Sequence, residues 1–270
     1  MKISIITPSY NQKDYIEKNI KSVLNQKYFD FEHIIVDGDS NDGTQEVLKK
    51  YDHLKWISEK DKGQCDALNK ALKMVTGEVI GWLNADDFYL DGAFDQIIKF
   101  MKETNSDCLY GDYLEIDKNE IVIKENVVPS PSKWIAKYMC FIPSTTFFFK
   151  SKILKKGFEF DNDLELTMDK EFFAYIFENN FKVNKLHKFI SCFRWHGKNK
   201  TTKFSDRRIY EAIKIINKYS NLKLKYNIFG KIFVFLIGNA LMFYRLICRK
   251  FNIGFHRENK DIGIHERYIN

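Results

Sequence analysis

The hydrophobic positions change period along the chain. Over the first 110 residues, short β-branched runs alternate with stretches in which apolar residues recur every three or four positions. Ile3–Thr7 reads as a strand that stops at Pro8, and a helix follows with Ile16, Ile20, Val23 and Leu24 on one face. His33–Asp37 is a second strand, apolar and ending on a carboxylate. The turn Asp37-Gly38-Asp39-Ser40-Asn41-Asp42-Gly43 leads into a helix carrying Val47, Leu48 and Tyr51. Lys55–Ser58 is a third strand. A helix from about Gln64 sets Ala67, Leu68, Ala71, Leu72 and Val75 on one face, with Gly77 as its C-cap. Val79–Leu83 is a fourth strand, Asp91 opens another helix, and Cys108–Tyr110 is a further strand.

Strand–helix alternation with short links predicts right-handed βαβ units and a parallel sheet covered by helices. Ligands of such sheets bind beyond the carboxyl ends of the strands. Three polar clusters fall at those ends: Thr7–Asn11, Asp37–Asp42 and Asn84–Asp87. The stretch from Asp112 to Phe149 is less periodic and is broken by Pro129, Pro131 and Pro143. A helical pattern returns at Lys170–Asn179, with Phe172, Phe173, Ile176 and Phe177.

Composition narrows the class. A chain of 270 residues that is 44% hydrophobic builds a real core in one or two domains. With 4 Pro and 13 Gly it is neither disordered nor collagen-like. The net charge of +7 is unevenly placed: residues 200–270 hold 15 Lys and Arg against 5 Asp and Glu, so residues 1–199 are slightly acidic. The five cysteines form no CxxC pair, which speaks against a zinc site or disulfide framework and for a reducing, cytoplasmic setting. The apolar stretch in MKISIITPSYNQ is too short for a signal-peptide core.

Neither GxGxxG nor a Walker A loop is present, so a nucleotide at this sheet edge needs another way to offset its phosphate charge. A divalent metal held by strand-end carboxylates supplies one, since oxygen ligands suit Mg²⁺ or Mn²⁺. Asn84-Ala85-Asp86-Asp87 follows an apolar strand and offers two adjacent acids. The competing reading is that Asp86 or Asp87 caps the next helix.

The runs SIITPSYNQ, VDGDSNDGT, EKDKGQCDALNKAL and GEVIGWLNADD, in that order, resemble inverting nucleotide-sugar glycosyltransferases of family 2. The resemblance covers roughly residues 1–200. It implies an α/β GT-A fold, a Rossmann-like, mostly parallel sheet flanked by helices, here with a C-terminal helical extension. It also implies a nucleotide-sugar site at Thr7, Pro8 and Tyr10 around base and ribose, with Asp37, Asp39, Asp61 and Lys62. Gly38 stands where the family commonly has a second Asp; either Asp39 takes over its base contact or Asp37 and backbone groups suffice. Asp66 and Asn69 face the ribose or donor sugar, or are simply polar residues of a helix start. Asn84 replaces the first acid of the strand-end motif and Ala85 follows it. Asp86 is then the expected metal ligand, with Asp87 supporting it in the metal site and His196 a further ligand or diphosphate contact, and Lys200 and Thr201 on phosphate oxygens. The implied general base is Asp169 at a helix start, ahead of Asp161, Asp163 and Glu165; the same residue also suits an N-cap. Pro143-Ser144-Thr145-Thr146 resembles the acceptor side. The remaining histidines, His33, His53, His187, His256 and His265, are expected to be solvated.

The division this suggests is a catalytic domain over 1–205, with a nucleotide-sugar half at 1–111 and an acceptor half at 112–205, and a basic helical extension over 206–270. Within the extension, IFGKIFVFLIGNALMFYRLIC has 13 consecutive uncharged residues, fewer than the ~20 that span a bilayer. Basic residues flank it on both sides, among them Lys223, Lys225, Arg249 and Arg257, which suits the surface of an anionic membrane. Packing on the catalytic domain or in a dimer is the alternative. The expected activity is transfer from a nucleoside-diphosphate sugar, a UDP-sugar first, to a glycan or lipid-linked acceptor, with Mn²⁺ or Mg²⁺, at the inner face of the membrane. No nucleic-acid partner is expected. The competing readings are a nucleotidyltransferase and a sugar-nucleotide-binding or scaffold protein that has lost catalysis.

Overall fold

The computed structural model describes residues 1–130, 133–136, 138, 142–197, 199 and 206–250. Lys200, Thr201, Arg257, His256 and His265 therefore lie outside the described residues.

The first half alternates as its periodicity demands: β1 (Ile3–Ser9), α1 (Lys13–Leu24), β2 (Phe31–Asp37), α2 (Thr44–Leu48), β3 (Leu54–Ser58), α3 (Gln64–Met74) and β4 (Val79–Trp82). The four strands lie parallel in the order β3-β2-β1-β4. Every residue of β1 and of β4 is buried, the pattern of strands covered on both faces. Ser9 pairs with Asp37 and Asp37 with Ser58, so these strands end level and release their polar loops along one edge.

The second half is β5 (Phe88–Tyr89), α4 (Ala93–Thr104), β6 (Cys108–Ile116), β7 (Val122–Asn126), α5 (Lys133–Ala136), β8 (Phe147–Lys150), α6 (Met168–Glu178), β9 (Val183–Arg194), α7 (Asp206–Tyr219) and α8 (Ile228–Lys250). Here the sheet turns mixed. β8 runs antiparallel between β4 and β6, β9 lies parallel to β6, and β5 and β7 add antiparallel partners to β9 and β6.

Three expectations are corrected. Gly77 does not cap α3, which ends at Met74 with Val75 extended. A Cβ at Gly77 would lie 2.6 Å from Ser4 Oγ and 2.8 Å from the Lys2 carbonyl, so glycine serves the close approach into β4. The α4 helix opens at Ala93, after Gly92 in a left-handed conformation, rather than at Asp91. His33 is wholly buried in β2, 3.0 Å from the Thr7 hydroxyl, and burial, with the charge of His53 adding, pushes its imidazole down to about 3.

An aromatic cluster fixes α6 on β8: Phe147 packs on Phe173 with ring centroids 4.8 Å apart, and Phe149 on Phe172 at 4.9 Å. Ile215 of α7 joins the same core, so packing continues past residue 205. α8 behaves differently. Its first turn meets α7 through Lys231 on Asp206 at 2.7 Å, while Ile228, Phe229, Ile232, Phe235, Leu236 and Phe243 stay exposed. Among the described residues, no helix is long and apolar enough to cross a membrane.

Candidate active site

Two groups of residues gather on the edge where β1, β2 and β4 end. The first is built by the loops after β1 and β2, which are laced together. Backbone N–H groups of Asn11, Gln12 and Lys13 donate to Ser40, Thr44 and Asp42 at 2.7, 2.9 and 3.0 Å. Asp37 is fully buried and accepts from the Ser40 N–H, the Ser40 hydroxyl and the Ser58 hydroxyl, so it ties the loop down rather than facing outward. Asp39 is exposed with φ of 63°. Tyr10 is 61% exposed. Thr7 and Pro8 lie in the buried strand, and the Thr7 hydroxyl is engaged with His33.

The space beside Gly38 is occupied by a neighbouring side chain. A Cβ at this position would stand 2.8 Å from Asp61 Oδ2 and 3.3 Å from Tyr10 Cδ2. The Asp61 carboxylate, steadied by the Gly63 N–H at 2.8 Å, therefore fills the space beside Gly38. Of the two sequence alternatives, Asp39 remains exposed beside this position, while Asp37 is buried in the loop. Lys62 is exposed, and Asp66 accepts its N–H at 3.2 Å while pairing with Lys70 at 3.3 Å. Asn69 turns elsewhere: its amide both donates to the Phe160 carbonyl and accepts the Phe160 N–H, each at 2.8 Å, which clamps α3 to the loop before α6. The reading of Asn69 as a polar residue of the helix fits this geometry.

The second group surrounds Asp86. Its Oδ2 lies 2.9 Å from His196 Nε2, with the side chains 20% and 8% exposed. Because a carboxylate only accepts, the imidazole N–H donates. The His196 ring stacks on Tyr15 at 5.0 Å, and the Arg194 guanidinium sits over the other side of the group, 5.2 Å from the Tyr15 ring and 5.6 Å from Phe88. Arg194 Nε donates to the Asp86 carbonyl at 3.1 Å, and its Nη2 pairs with Glu120 at 2.9 Å. Asp87 turns inward. It is 1% exposed, accepts the Arg194 N–H at 3.0 Å, and burial, then the adjacent Asp86 charge, pushes its carboxyl well above the usual range. Ala85 is buried beside α1. Asn84 Oδ1 accepts from Trp82 Nε1 and Gln64 Nε2, both at 3.0 Å, and its amide reaches Ser144 at 3.4 Å. That last contact brings the 143–146 segment to the strand end.

Residues 4–158 match the sequence family described as Glycosyl transferase family 2. The chain belongs to that family. Among its relatives is the UDP-Glc:alpha-D-GlcNAc-diphosphoundecaprenol beta-1,3-glucosyltransferase WfgD of Escherichia coli, 38% identical over 45% of this chain and 49% of the relative. The chain spans about half the length, or less, of the curated relatives it matches at that identity. The fold is GT-A. Staphylococcus aureus TarS 1–349 in complex with UDP-GlcNAc superposes with a TM-score of 0.68 at 22% identity, covering 83% of this chain and 68% of that one. The mannosyltransferase PcManGT of Pyrobaculum calidifontis, in complex with GDP-Man and Mn²⁺, gives 0.61 at 16%, covering 80% and 63%.

Among the described residues of this family 2 fold, no three or more His, Cys, Asp or Glu side chains gather as a metal cage. Asp86 nonetheless offers a carboxylate oxygen, and His196 an imidazole nitrogen once Nε2 gives up the proton it donates to Asp86.

Asp169 stands in the first turn of α6, half-buried, with its Oδ1 accepting the Lys170 N–H at 2.7 Å. The Cys65 thiol on the Leu164 carbonyl at 3.0 Å joins the start of α3, and hence Gln64 and Asn84, to the loop that enters α6. Sequence reasoning missed Asn19, Tyr15 and Glu120. Asn19 is fully buried, and its amide donates to the Asn84 and Asp87 carbonyls at 2.8 and 3.1 Å. Its signal was a polar residue set within the apolar Ile16–Ile20–Val23 stripe of α1, where an unpartnered amide is costly.

Proposed function

We propose that this chain transfers a sugar, with inversion, from a nucleoside-diphosphate sugar to a hydroxyl of a cell-surface glycan or lipid-linked saccharide. The observation that carries the reading is the Asp86–His196 pair after β4, on the sheet edge where the loop bearing Tyr10 and Gly38, with Asp61 against it, also emerges. Tyr10 offers its exposed ring to the nucleoside, with Asp61 taking the polar contact that Gly38 cannot make. A UDP-sugar is the first donor to test, in keeping with the UDP-GlcNAc bound by TarS. WfgD, by its name a transferase to a diphosphoundecaprenol-linked sugar, supports a lipid-linked acceptor.

Asp86 and His196 would hold Mn²⁺ or Mg²⁺, with Asp87 supporting the turn from beneath. The metal, when bound, offsets charge that builds on the departing diphosphate; the Mn²⁺ in PcManGT supports this use. Asp169 accepts the proton of the acceptor hydroxyl as that oxygen attacks the anomeric carbon and the bond to the diphosphate breaks. Attack from the opposite face inverts the configuration.

The exposed apolar face of α8, with Lys223 and Lys225 at its head, would rest on the inner face of an anionic membrane and bring the site to a lipid-linked acceptor.

The test is nucleoside diphosphate release from a panel of UDP- and GDP-sugars with Mn²⁺, in wild type, Asp86→Ala and Asp169→Asn. Asp86→Ala should lose donor binding, and Asp169→Asn should bind donor without turnover. Normal turnover by Asp169→Asn removes it as base, and a wild type indifferent to metal removes the Asp86 role. Donor binding with no release in the wild type returns the chain to the binding-protein reading.

A further inference from the structure

The loop that delivers Asp169 is held mainly from α7, with one bond from α6, the Asp161 N–H on Glu171 Oε2 at 3.3 Å. Thr167 stands at the N-cap of α6, where a threonine hydroxyl ordinarily accepts an N–H of the first turn. It makes no such bond. The hydroxyl instead donates to Glu211 Oε2 at 2.9 Å. Glu211 belongs to α7 and is fully buried. Its Oε2 also accepts the Leu166 N–H at 3.0 Å, and its Oε1 accepts the Glu165 N–H and Arg207 Nε, each at 2.9 Å. One carboxylate thus satisfies donors from three consecutive residues that lead directly to Asp169.

The rest of that α7 face repeats the grip. Residues 207, 211, 214 and 218 fall on one side at helical spacing. Arg207 donates to the Asp163 carbonyl, Lys214 pairs with Asp161 at 2.6 Å and Asp163 at 3.2 Å, and Lys218 pairs with Glu171 at 2.6 Å. The cations match the acidic loop by charge. Glu211 alone meets backbone N–H groups, and by doing so it fixes the conformation of the loop and not merely its attraction to α7. A buried carboxylate is costly unless its oxygens are engaged, and here four donors engage them.

We infer that Glu211 is a positioning residue: it sets the backbone of 165–167 and, through it, the place of the Asp169 carboxylate against the acceptor hydroxyl. The inference rests on the proposed role of Asp169 as base. It also gives α7 a part in the reaction, although α7 lies outside the stretch that matches the family.

The test compares the full chain carrying Glu211→Gln, Glu211→Asp or Ile216→Ala with the wild type. Ile216 is fully buried on α7 and serves as a control for lost packing. Rates use the fastest donor of the sugar-nucleotide panel, and donor affinity is read with UDP and Mn²⁺. Glu211→Gln sets an amide N–H against the donors it must accept, and should lower kcat on the order of 10²-fold, the effect of a misplaced catalytic group. UDP affinity should stay within about twofold, because the nucleotide cleft is untouched. Glu211→Asp should fall between, and Ile216→Ala should keep its kcat at any temperature where it is folded. Combining Glu211→Gln with Asp169→Asn should be no slower than Asp169→Asn alone. Hydrogen exchange at the Glu165 and Leu166 amides, which does not depend on the role of Asp169, should quicken in Glu211→Gln. Unchanged exchange overturns the positioning role, as does a kcat loss no greater than that of Ile216→Ala. Normal turnover by Asp169→Asn, with quickened exchange in Glu211→Gln, instead locates the failure in the choice of base.

Discussion

Arg194→Met asks how much of the Asp86 loop is held by one guanidinium. The side chain is 3% exposed, so its bonds are made largely out of water. It donates to the Asp86 carbonyl at 3.1 Å and to Glu120 at 2.9 Å, and more weakly to the Lys118 carbonyl at 3.4 Å. Hydrogen bonds to charged groups contribute about 1.5–3 kcal/mol, and each ring contact with Tyr15 and Phe88 adds about 0.5–1 kcal/mol. Methionine keeps much of the apolar packing of the stem, and Glu120, 29% exposed and still paired with Lys18, recovers part of its solvation. The net loss should be about 2–4 kcal/mol, or a fall in Tm of roughly 5–15 °C for a chain of this size.

Urea and thermal unfolding read the first effect. Titration with UDP and Mn²⁺ reads the second, since a loop that no longer presents Asp86 and His196 together should bind roughly tenfold more weakly. Glu120→Gln is the comparison, because it removes the ion pair but leaves the Asp86 carbonyl bond, and should cost under about 1 kcal/mol. A loss below about 1 kcal/mol in Arg194→Met, with unchanged UDP affinity, would refute the argument that Arg194 holds the site together.

Gly38→Asp should crowd the Asp61 carboxylate and weaken UDP binding by roughly 1–3 kcal/mol, and adding Asp61→Ala should restore part of it; unaffected binding in Gly38→Asp removes Asp61 from that space. His33 stays neutral when folded, with a value of about 3, but titrates near 6.5 when unfolded. The unfolded chain therefore takes the extra proton, and stability that is complete above pH 6.5 should fall as pH drops toward 3, by about 2 kcal/mol at pH 5. Unfolding midpoints at pH 7 and pH 5, in wild type and His33→Gln, read this; equal acid sensitivity in both assigns the loss to other groups. Phe235→Asp with Leu236→Asp should release the protein from liposomes containing anionic lipid without changing donor hydrolysis in solution, and retained binding would refute the α8 contact.

The parallel half of the fold was legible because each of its strands is a short apolar run between turn residues. The other half was not. β9, VNKLHKFISCFR, carries Lys185 and His187 inside a strand, and Lys185 is tolerated there only because Asp112 of β6 pairs with it at 2.9 Å. No local pattern reveals a partner so distant in sequence. The same limit applies at the site. Asp86 and His196 stood out as chemically suitable residues, and they come together. Asp37, Thr7 and Asn69 carry the same kind of side chain but are engaged by neighbours supplied by the fold. Residue type identified the candidates, whereas hydrogen-bond partners separated those engaged in building the fold from the rest.

The basic extension shows the same separation in its energetics. Arg207, Lys214, Lys218 and Lys231 are all paired within the chain, with Glu211, Asp161, Glu171 and Asp206, and so are largely committed before any membrane is met. Lys223 and Lys225 are exposed at the head of α8. At roughly 1 kcal/mol for each basic residue near an anionic surface, those two contribute only about 2 kcal/mol. A fully buried large apolar side chain contributes about 1.5–3 kcal/mol, and Phe229, Phe235, Leu236 and Phe243 are each more than half exposed on the free helix. Set against those two lysines alone, the exposed apolar side chains of α8 are the larger contribution. Three cations of the extension, Arg207, Lys214 and Lys218 of α7, instead pair with Glu211, Asp161 and Glu171.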